Sequence, residues 1–253
     1  MTTQQDQAIQ RVGIHAVREI LDALERDGVV LVPGYLDADA VAAATRECHE
    51  LFDKTPLWAH HEEYSLGQSV RTERADMDAA IFPTLSTAFA RRELEAVVSG
   101  FFGKDYIFSR TIYAILDVVG SSTRVQELHY DKMRHLKSFV YLTDVGPANG
   151  PFHCVPGSHL LAREIQRGNR ERHIVPSDDD TRVLPAELDD QRVAVLGDAG
   201  TLILFDSDIA HHAGIVTEGE RLATRSLSFG SYRAQTWYRT DGTVAEPAQP
   251  SPT

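Results

Sequence analysis

Apolar residues in the first hundred positions recur at helical spacing. Val17, Ile20, Leu21 and Leu24 fall on the i, i+3, i+4, i+7 stripe of an amphipathic helix. Asp27-Gly28 ends it, because glycine readily takes the left-handed conformation that closes a helix. Residues 29–32 are uniformly apolar and predict a short buried strand, with a turn at Pro33-Gly34. Asp37 or Asp39 can cap a second helix that places Val41, Ala44, Cys48, Leu51 and Phe52 on one face. A third helix carries Leu94, Val97, Val98 and Phe101 and closes at Gly103. Residues 55–83 alternate polar and aromatic positions without a clear period, and they predict no element. Trp58, His60 and His61 in that stretch could form a lid or simply end a surface helix.

From Tyr106 onward the period changes. Residues 107–116 are β-branched and aromatic and are broken by Gly120-Ser121-Ser122. Further strands are predicted at 136–142, 201–205 and 226–232. Residues 168–192 are polar and charge-rich and read as a long loop of the kind that is functional or mobile. Residues 246–253 hold three prolines and no large apolar side chain, so they read as a disordered tail. There is no internal repeat and no linker. The expectation is one α+β, mainly β domain over residues 1–245, with N-terminal helices supporting a β-rich C-terminal part.

Composition narrows the partners. The chain has 253 residues, 42% hydrophobic and 25% charged, which suits a globular protein with a sizeable core. Twenty-five Lys and Arg face 37 Asp and Glu, a net charge of -12, which argues against nucleic acid as a partner. A few local cations could still hold an anionic small molecule. Two cysteines, Cys48 and Cys154, make no disulfide framework. The N-terminus lacks a signal-peptide pattern, and no apolar run approaches the ~18 residues of a membrane span. A reduced, cytoplasmic setting without membrane contact is expected. The pattern does not specify an oligomeric state.

The chemistry is concentrated in Glu127-Leu128-His129-Tyr130-Asp131 and in a histidine 82 or 83 positions later, His211 or His212. Residues i and i+2 of a strand share a face, so His129 and Asp131 would present an imidazole and a carboxylate side by side. Two imidazoles and one carboxylate leave a divalent ion with open positions on one side, the ligand set of non-haem Fe(II) oxygenases. Taken alone the pattern is weak. His-x-Asp is common by chance, and eleven histidines supply a downstream partner easily.

The flanks carry more. After the His-x-Asp pair come Phe139-Val140-Tyr141-Leu142-Thr143-Asp144, then Asn149-Gly150-Pro151-Phe152, then Val155-Pro156-Gly157-Ser158-His159. The distal stretch reads Gly197-Asp198, Leu204-Phe205-Asp206, His211-His212-Ala213-Gly214 and Arg225-Ser226-Leu227-Ser228-Phe229-Gly230-Ser231-Tyr232. With Leu24-Glu25-Arg26-Asp27-Gly28-Val29-Val30 and Pro33-Gly34, these motifs resemble the phytanoyl-CoA dioxygenase family of Fe(II)- and 2-oxoglutarate-dependent oxygenases. The resemblance spans roughly residues 15–235.

That resemblance implies a double-stranded β-helix, or jelly roll, with Fe(II) at one end, 2-oxoglutarate as cosubstrate and O2 as oxidant. It implies His129, Asp131 and His211 as metal ligands and catalytic centre, with His212 the alternative if the register is shifted. Arg225 matches the arginine that grips the far carboxylate of 2-oxoglutarate, where a planar guanidinium fits a carboxylate bidentately. Thr143, Tyr113 and Gln126 are candidates to help hold the cosubstrate.

The match has departures. Ala213 stands where many members have serine, and Val216, Thr217 and Glu218 replace an Asn and Ser. The stretch between His211 and Arg225 is also longer than usual, which makes Arg221 a competitor, read here as a solvated hairpin charge beside Glu218 and Glu220. Halogenating relatives carry Ala or Gly at the position of Asp131, so hydroxylation of an unactivated C–H is preferred, with desaturation or cyclisation as variants. Succinate and CO2 would be released.

Lys132, Arg134 and Lys137 read evenly as a solvated strand edge or as holders of a carboxylate or phosphate. Tyr130, Arg110, Arg71 and Arg74 are further candidates for the pocket wall, while Met133 and Phe152 read as packing. The length of the chain favours a secondary-metabolite or amino-acid-like substrate over a fatty acyl-CoA. Two other classes fit the residues less well: a jelly-roll metalloenzyme without 2-oxoglutarate, and a non-catalytic β-sandwich binding protein.

Overall fold

A computed structural model describes residues 9–55, 66–103, 105–121, 127–131, 134–171 and 184–230; residues 237–238, 244–245, 169, 170 and 186 are described by backbone alone. The expected N-terminal elements form where the periodicity places them. Helix α1 (Val17–Asp27) turns its Ile20, Ala23 and Leu24 face inward and ends at Gly28 with φ 74°. Strand β1 (Val29–Val32) is buried at every position. Helix α2 (Ala38–Lys54) starts at Asp37, whose carboxylate accepts the Ala40 amide at 2.9 Å and so satisfies an otherwise orphaned donor.

Residues 55–83, which predict nothing, hold strand β2 (Gln68–Glu73) in their described part. Short helix α3 (Pro83–Ala88) follows. Its exposed-end amides at Thr84 and Leu85 donate to buried Glu47 at 2.9 and 2.7 Å, so that carboxylate is a cap supplied by α2. Helix α4 (Arg92–Phe102) buries Leu94, Val97 and Val98.

The chain from Tyr106 to Gly230 completes two antiparallel sheets, and Trp237–Tyr238 pairs with Val244–Ala245 as a separate two-stranded ribbon. Strands β3 (Tyr106–Val118) and β4 (His135–Tyr141) are followed by the short β5 (Phe152–Cys154), helix α5 (His159–Glu171), β6 (Val193–Val195), β7 (Leu202–Asp206), β8 (His211–Ala213) and β9 (Glu220–Gly230). The larger sheet has the order β1-β7-β4-β9-β3-β2 and the smaller one β6-β5-β8.

Strict alternation along β4 and β9 separates two cores. Leu136, Val140, Leu202, Leu204 and Leu222 face α1, α2 and α4. Phe139, Tyr141, Ile203, Phe205 and Ala223 face the small sheet, where Phe152, Cys154 and Val195 meet them. The Phe152 and Phe205 rings lie 4.5 Å apart, and the Tyr141 hydroxyl donates to the Val195 carbonyl at 2.9 Å while accepting the Phe152 amide at 3.0 Å. Those contacts clamp the two sheets face to face.

Three expectations change. The His-x-Asp segment is not a full strand: His129 makes one isolated bridge, to His211. The long polar loop begins later than predicted, because α5 runs to Glu171, and it contains a 3-10 turn at Ala186–Gln191. The strands β5, β6 and β8 are three residues each, too short for a period of two to register. The predicted tail, 246–253, lies outside the described residues. No helix among the described residues is long and apolar enough to cross a membrane.

Candidate metal and cosubstrate site

The site lies between the sheets, and each side chain in it is placed by backbone bonding. His129 and His211 exchange both backbone hydrogen bonds, N to O at 3.0 and 2.8 Å, which sets their rings 4.5 Å apart. The Asp131 amide donates to the Ser207 carbonyl at 3.0 Å, so the segment stays extended for two residues and brings Asp131 back beside His129. The Pro-Gly-Ser-His motif supports the opposite side. Ser158 Oγ accepts the Ala210 amide at 2.8 Å and donates to the Val155 carbonyl at 2.6 Å, fixing the backbone one residue before His211. Gly214 closes the same strand where it passes so near residues 150–151 that a Cβ would meet the Pro151 carbonyl.

His129, Asp131 and His211 each turn one ligand atom into a common space, all within 4.8 Å of one another. His129 Nδ1 donates to the Glu127 carbonyl and His211 Nδ1 to the Ile209 carbonyl, both at 2.7 Å. A carbonyl can only accept, so Nδ1 carries a proton in each ring, and in the neutral imidazole Nε2 then keeps the lone pair a metal takes. Asp131 Oδ1 is the oxygen that faces them, 3.8 Å from His129 Nε2 and 3.6 Å from His211 Nε2. Its Oδ2 turns away to Lys137 Nζ at 2.6 Å and His135 Nδ1 at 3.5 Å.

The electrostatics favour ligation. Burial alone would raise the Asp131 carboxyl, but Lys137, His135 and His211 together hold it well below the usual range. Burial, then the nearby Lys137 and His129, push His211 well down, so the imidazole is neutral. A carboxylate and two imidazoles whose Nε2 atoms turn inward fit a divalent metal ion, and iron suits such a donor set.

Around this cluster the wall is largely apolar, with Phe139, Phe152, Phe205 and Ala213, and it carries three cations from β4 and β9, Lys137, Arg221 and Arg225. Arg225 is the Cα partner of both Tyr113 and Phe139. Its guanidinium lies 4.2 Å from the centre of the Tyr113 ring, and its buried Nε has no hydrogen-bond partner among the described residues. A buried donor left unmatched costs free energy, so this arrangement calls for an acceptor beyond the described residues, such as a bound anion.

Residues 24–223 match the sequence profile of phytanoyl-CoA dioxygenase. The chain belongs to the phytanoyl-CoA dioxygenase family. Solved structures share the architecture. The epimerase SnoN, solved with Fe3+, alpha ketoglutarate and nogalamycin RO, is 22% identical, with a TM-score of 0.61 over 85% of this chain and 84% of SnoN. The carbocyclase SnoK from nogalamycin biosynthesis is 19% identical, with a TM-score of 0.61 over 87% of each chain. EctD from S. alaskensis, solved with 2-oxoglutarate and 5-hydroxyectoine, is 20% identical, with a TM-score of 0.62 over 88% of this chain and 79% of EctD. No curated protein matches in sequence. At these identities the structures show the shared fold, a double-stranded β-helix, and the family and its neighbours are Fe- and 2-oxoglutarate-dependent enzymes.

Against the family pattern, the residues sort as follows. His211 joins the cluster and His212 does not. The latter lines the cavity wall, but its ring stacks on His153 at 4.6 Å and its Nε2 lies 3.3 Å from Arg192. Tyr113 supports Arg225 rather than lining the cavity. Thr143 lies away from the cavity wall, where its hydroxyl accepts the Leu222 amide at 3.1 Å. Gln126, Lys132 and Met133 lie outside the described residues, as do Trp58, His60, His61 and Tyr232.

Arg221 is a correction. It is buried, not solvated, and pairs with Asp117 at 2.7 Å while also donating to the Gly150 carbonyl. Its place on β9, four residues from Arg225, puts it on the inward face. Arg134 is drawn to Asp206 at 3.0 Å and packs over the Phe101 ring. Arg110 and Arg71 pair with Glu73, and Arg74 lies over Phe108. Tyr130 is buried outside the cavity wall.

Lys137 is the residue that sequence reasoning undervalued. It is 7% exposed and sits in the cavity. The signal was present: Lys137 shares the parity of Phe139 and Tyr141 along one strand, so the face that buries those rings must bury the lysine too.

Proposed function

We propose that this protein is an Fe(II)- and 2-oxoglutarate-dependent oxygenase that hydroxylates an unactivated C–H of a small molecule. The observation that carries the reading is the pairing of a convergent His129–Asp131–His211 donor set with a buried, unmatched Arg225 Nε in one cavity. The first suits a metal dication and the second a carboxylate. A 2-oxo diacid offers both, a chelating end and a far carboxylate.

In this reading His129 and His211 hold the ion through Nε2, and Asp131 holds it through Oδ1. Arg225, held over the Tyr113 ring, would grip the far carboxylate. Bound iron would supply the chemistry, coupling O2 to the oxidative decarboxylation of 2-oxoglutarate to succinate and CO2 and to oxidation of a substrate C–H bond. The chain's contribution is placement and dryness: Phe139, Phe152 and Phe205 keep water from the reacting centre. The carboxylate of Asp131 occupies the position that halogenating relatives leave small, which favours hydroxylation over halogenation.

The substrate proposed is a secondary metabolite or amino-acid-like compound. The neighbours solved with nogalamycin RO and 5-hydroxyectoine support that size class. Epimerisation and cyclisation, named for SnoN and SnoK, are the competing outcomes of the same chemistry. The test is anaerobic addition of Fe(II) and then 2-oxoglutarate, watching for the weak visible band of the chelate, followed by succinate release in air. No band, no succinate and no change on His129→Ala would remove the proposal. Fe(II) binding with no band on adding 2-oxoglutarate, and activity indifferent to Arg225→Ala, would favour a jelly-roll metalloenzyme that does not use the diacid.

A further inference from the structure

Lys137 has a geometry that its ion pair alone does not explain. Its Nζ is 2.6 Å from Asp131 Oδ2 and 3.3 Å from His211 Nε2, with the Phe205 ring 5.4 Å away. A lysine ammonium has three donors. One is satisfied by Oδ2, the oxygen that faces away from the imidazoles. The other named acceptor is His211 Nε2, whose single lone pair is also the one a metal ion would take. Both cannot use it. When a metal does, the lysine loses that acceptor in a buried, phenylalanine-lined space, where an unmatched cationic donor is costly.

The charge balance points the same way. A dication, Lys137 and Arg225 would face only the Asp131 carboxylate, because imidazole ligands bring no negative charge and Arg221 is already matched by Asp117. The loaded cavity would therefore hold excess positive charge at two places, one beside the metal ligands and one at Arg225.

We propose that Lys137 is a second anchoring cation for the cosubstrate, gripping the carboxylate at its 2-oxo end while Arg225 grips the far one. This rests on the 2-oxoglutarate reading above. Lys137 remains on Asp131 Oδ2 and turns a second donor from His211 Nε2 to the incoming carboxylate, so the same ammonium orients a ligand and its neighbour.

Binding to the Ni(II)-loaded protein, measured anaerobically by calorimetry at saturating metal, tests the assignment without turnover. Two probes separate the ends. 2-Oxoglutarate has both carboxylates, and pyruvate has only the one beside the oxo group. Lys137→Met should weaken both acids by a similar factor, about tenfold or more. Arg225→Met should weaken 2-oxoglutarate and leave pyruvate nearly unchanged. Lys137→Gln, which keeps a neutral donor, should fall between wild type and Lys137→Met, and it serves if the methionine variant folds poorly.

Equal affinities in wild type and both Lys137 variants would overturn the assignment. So would a Lys137 variant that loses metal affinity yet binds both acids normally once saturated, since Lys137 would then only position Asp131. Loss confined to 2-oxoglutarate would move Lys137 to the wrong end of the diacid and overturn it as well. Failure of the wild-type protein to bind 2-oxoglutarate at all would instead remove the parent reading, and Lys137's role with it.

Discussion

Arg221 and Asp117, Cα partners across β9 and β3, form an ion pair at 2.7 Å in which each side chain is about nineteen-twentieths buried, 4% and 5% exposed. Four residues further along the same strand, Arg225 faces the same cavity, and its Nε has no such match among the described residues. Two arginines of one face thus differ: one is neutralised by Asp117, and the other has an Nε unmatched among the described residues.

Arg221→Met should therefore act on stability. It leaves the Asp117 carboxylate buried without its counter-charge and frees the Gly150 carbonyl, and breaking a buried pair from one side costs about 3–5 kcal/mol. Urea unfolding of the metal-free protein measures it. A loss under about 1 kcal/mol would mean that the pair does not hold the strands. Replacing both partners, Arg221→Met with Asp117→Leu, should recover much of the loss, because no lone charge is left inside.

Arg225→Met should act on binding. The side chain makes no internal hydrogen bond through Nε, so unfolding free energy should stay within about 1 kcal/mol of wild type. Affinity for 2-oxoglutarate should fall by roughly 10–100-fold, the usual worth of a charge-assisted contact. Calorimetry and urea unfolding on the same preparation separate the two. A variant that unfolds easily while binding the diacid normally would reverse the roles given to the two arginines.

His211→Ala and His212→Ala give a sharper contrast, because they differ by one residue and opposite faces. His211 contributes one of three convergent donors, so its loss should abolish stoichiometric Fe(II) or Co(II) binding. His212 stacks on His153 outside the cluster, and its loss should leave metal binding intact. Co(II) absorption titrations read this directly. Equal damage from both would mean that β8 is in a different register.

The difference between what the sequence discloses and what it hides follows from element length and from the distance of the partners. Helices α1, α2 and α4 are legible because eleven or more residues repeat one apolar stripe, with Gly28, Asp37 and Gly103 marking ends. Strands β5, β6 and β8 are not, since three residues cannot establish a period. The triad is legible from motif order, but the proximity of His129 and His211 depends on a single bridge. Charges were harder. Arg221 reads as solvent-facing beside Glu218 and Glu220 because its partner, Asp117, lies 104 residues away across the hairpin-free pairing of β3 with β9. Lys137 is a milder case, since its parity with Phe139 is readable along β4 while its contact with Phe205 depends on β7, far along the chain.

Acid should destabilise the metal-free protein from about pH 6.5 downward, and His153 is the residue on which to test this. Burial, with His212 stacked beside it, pushes its imidazole down from 6.5 to about 4. Above pH 6.5 neither the folded nor the unfolded form is protonated there, so the residue's stabilising preference for neutrality is fully present. Between pH 6.5 and about 4 the unfolded chain takes up a proton that the folded protein refuses, and stability falls. His135, His159, His211 and His212 are lowered too and share this sign. Asp208 opposes them: burial, then Asp206, raise its carboxyl to about 6, so it favours the folded form as pH falls toward the unfolded value near 4. Five imidazoles against one carboxyl make the net slope positive with pH. His153→Phe keeps the ring stack and removes one contributor. It should lose less stability than wild type between pH 6.5 and 5, by about 2 kcal/mol at most, given about 1.4 kcal/mol per unit of pKa difference. Parallel urea titrations at the two pH values, with identical losses in both proteins, would show that His153 protonates freely in the folded state.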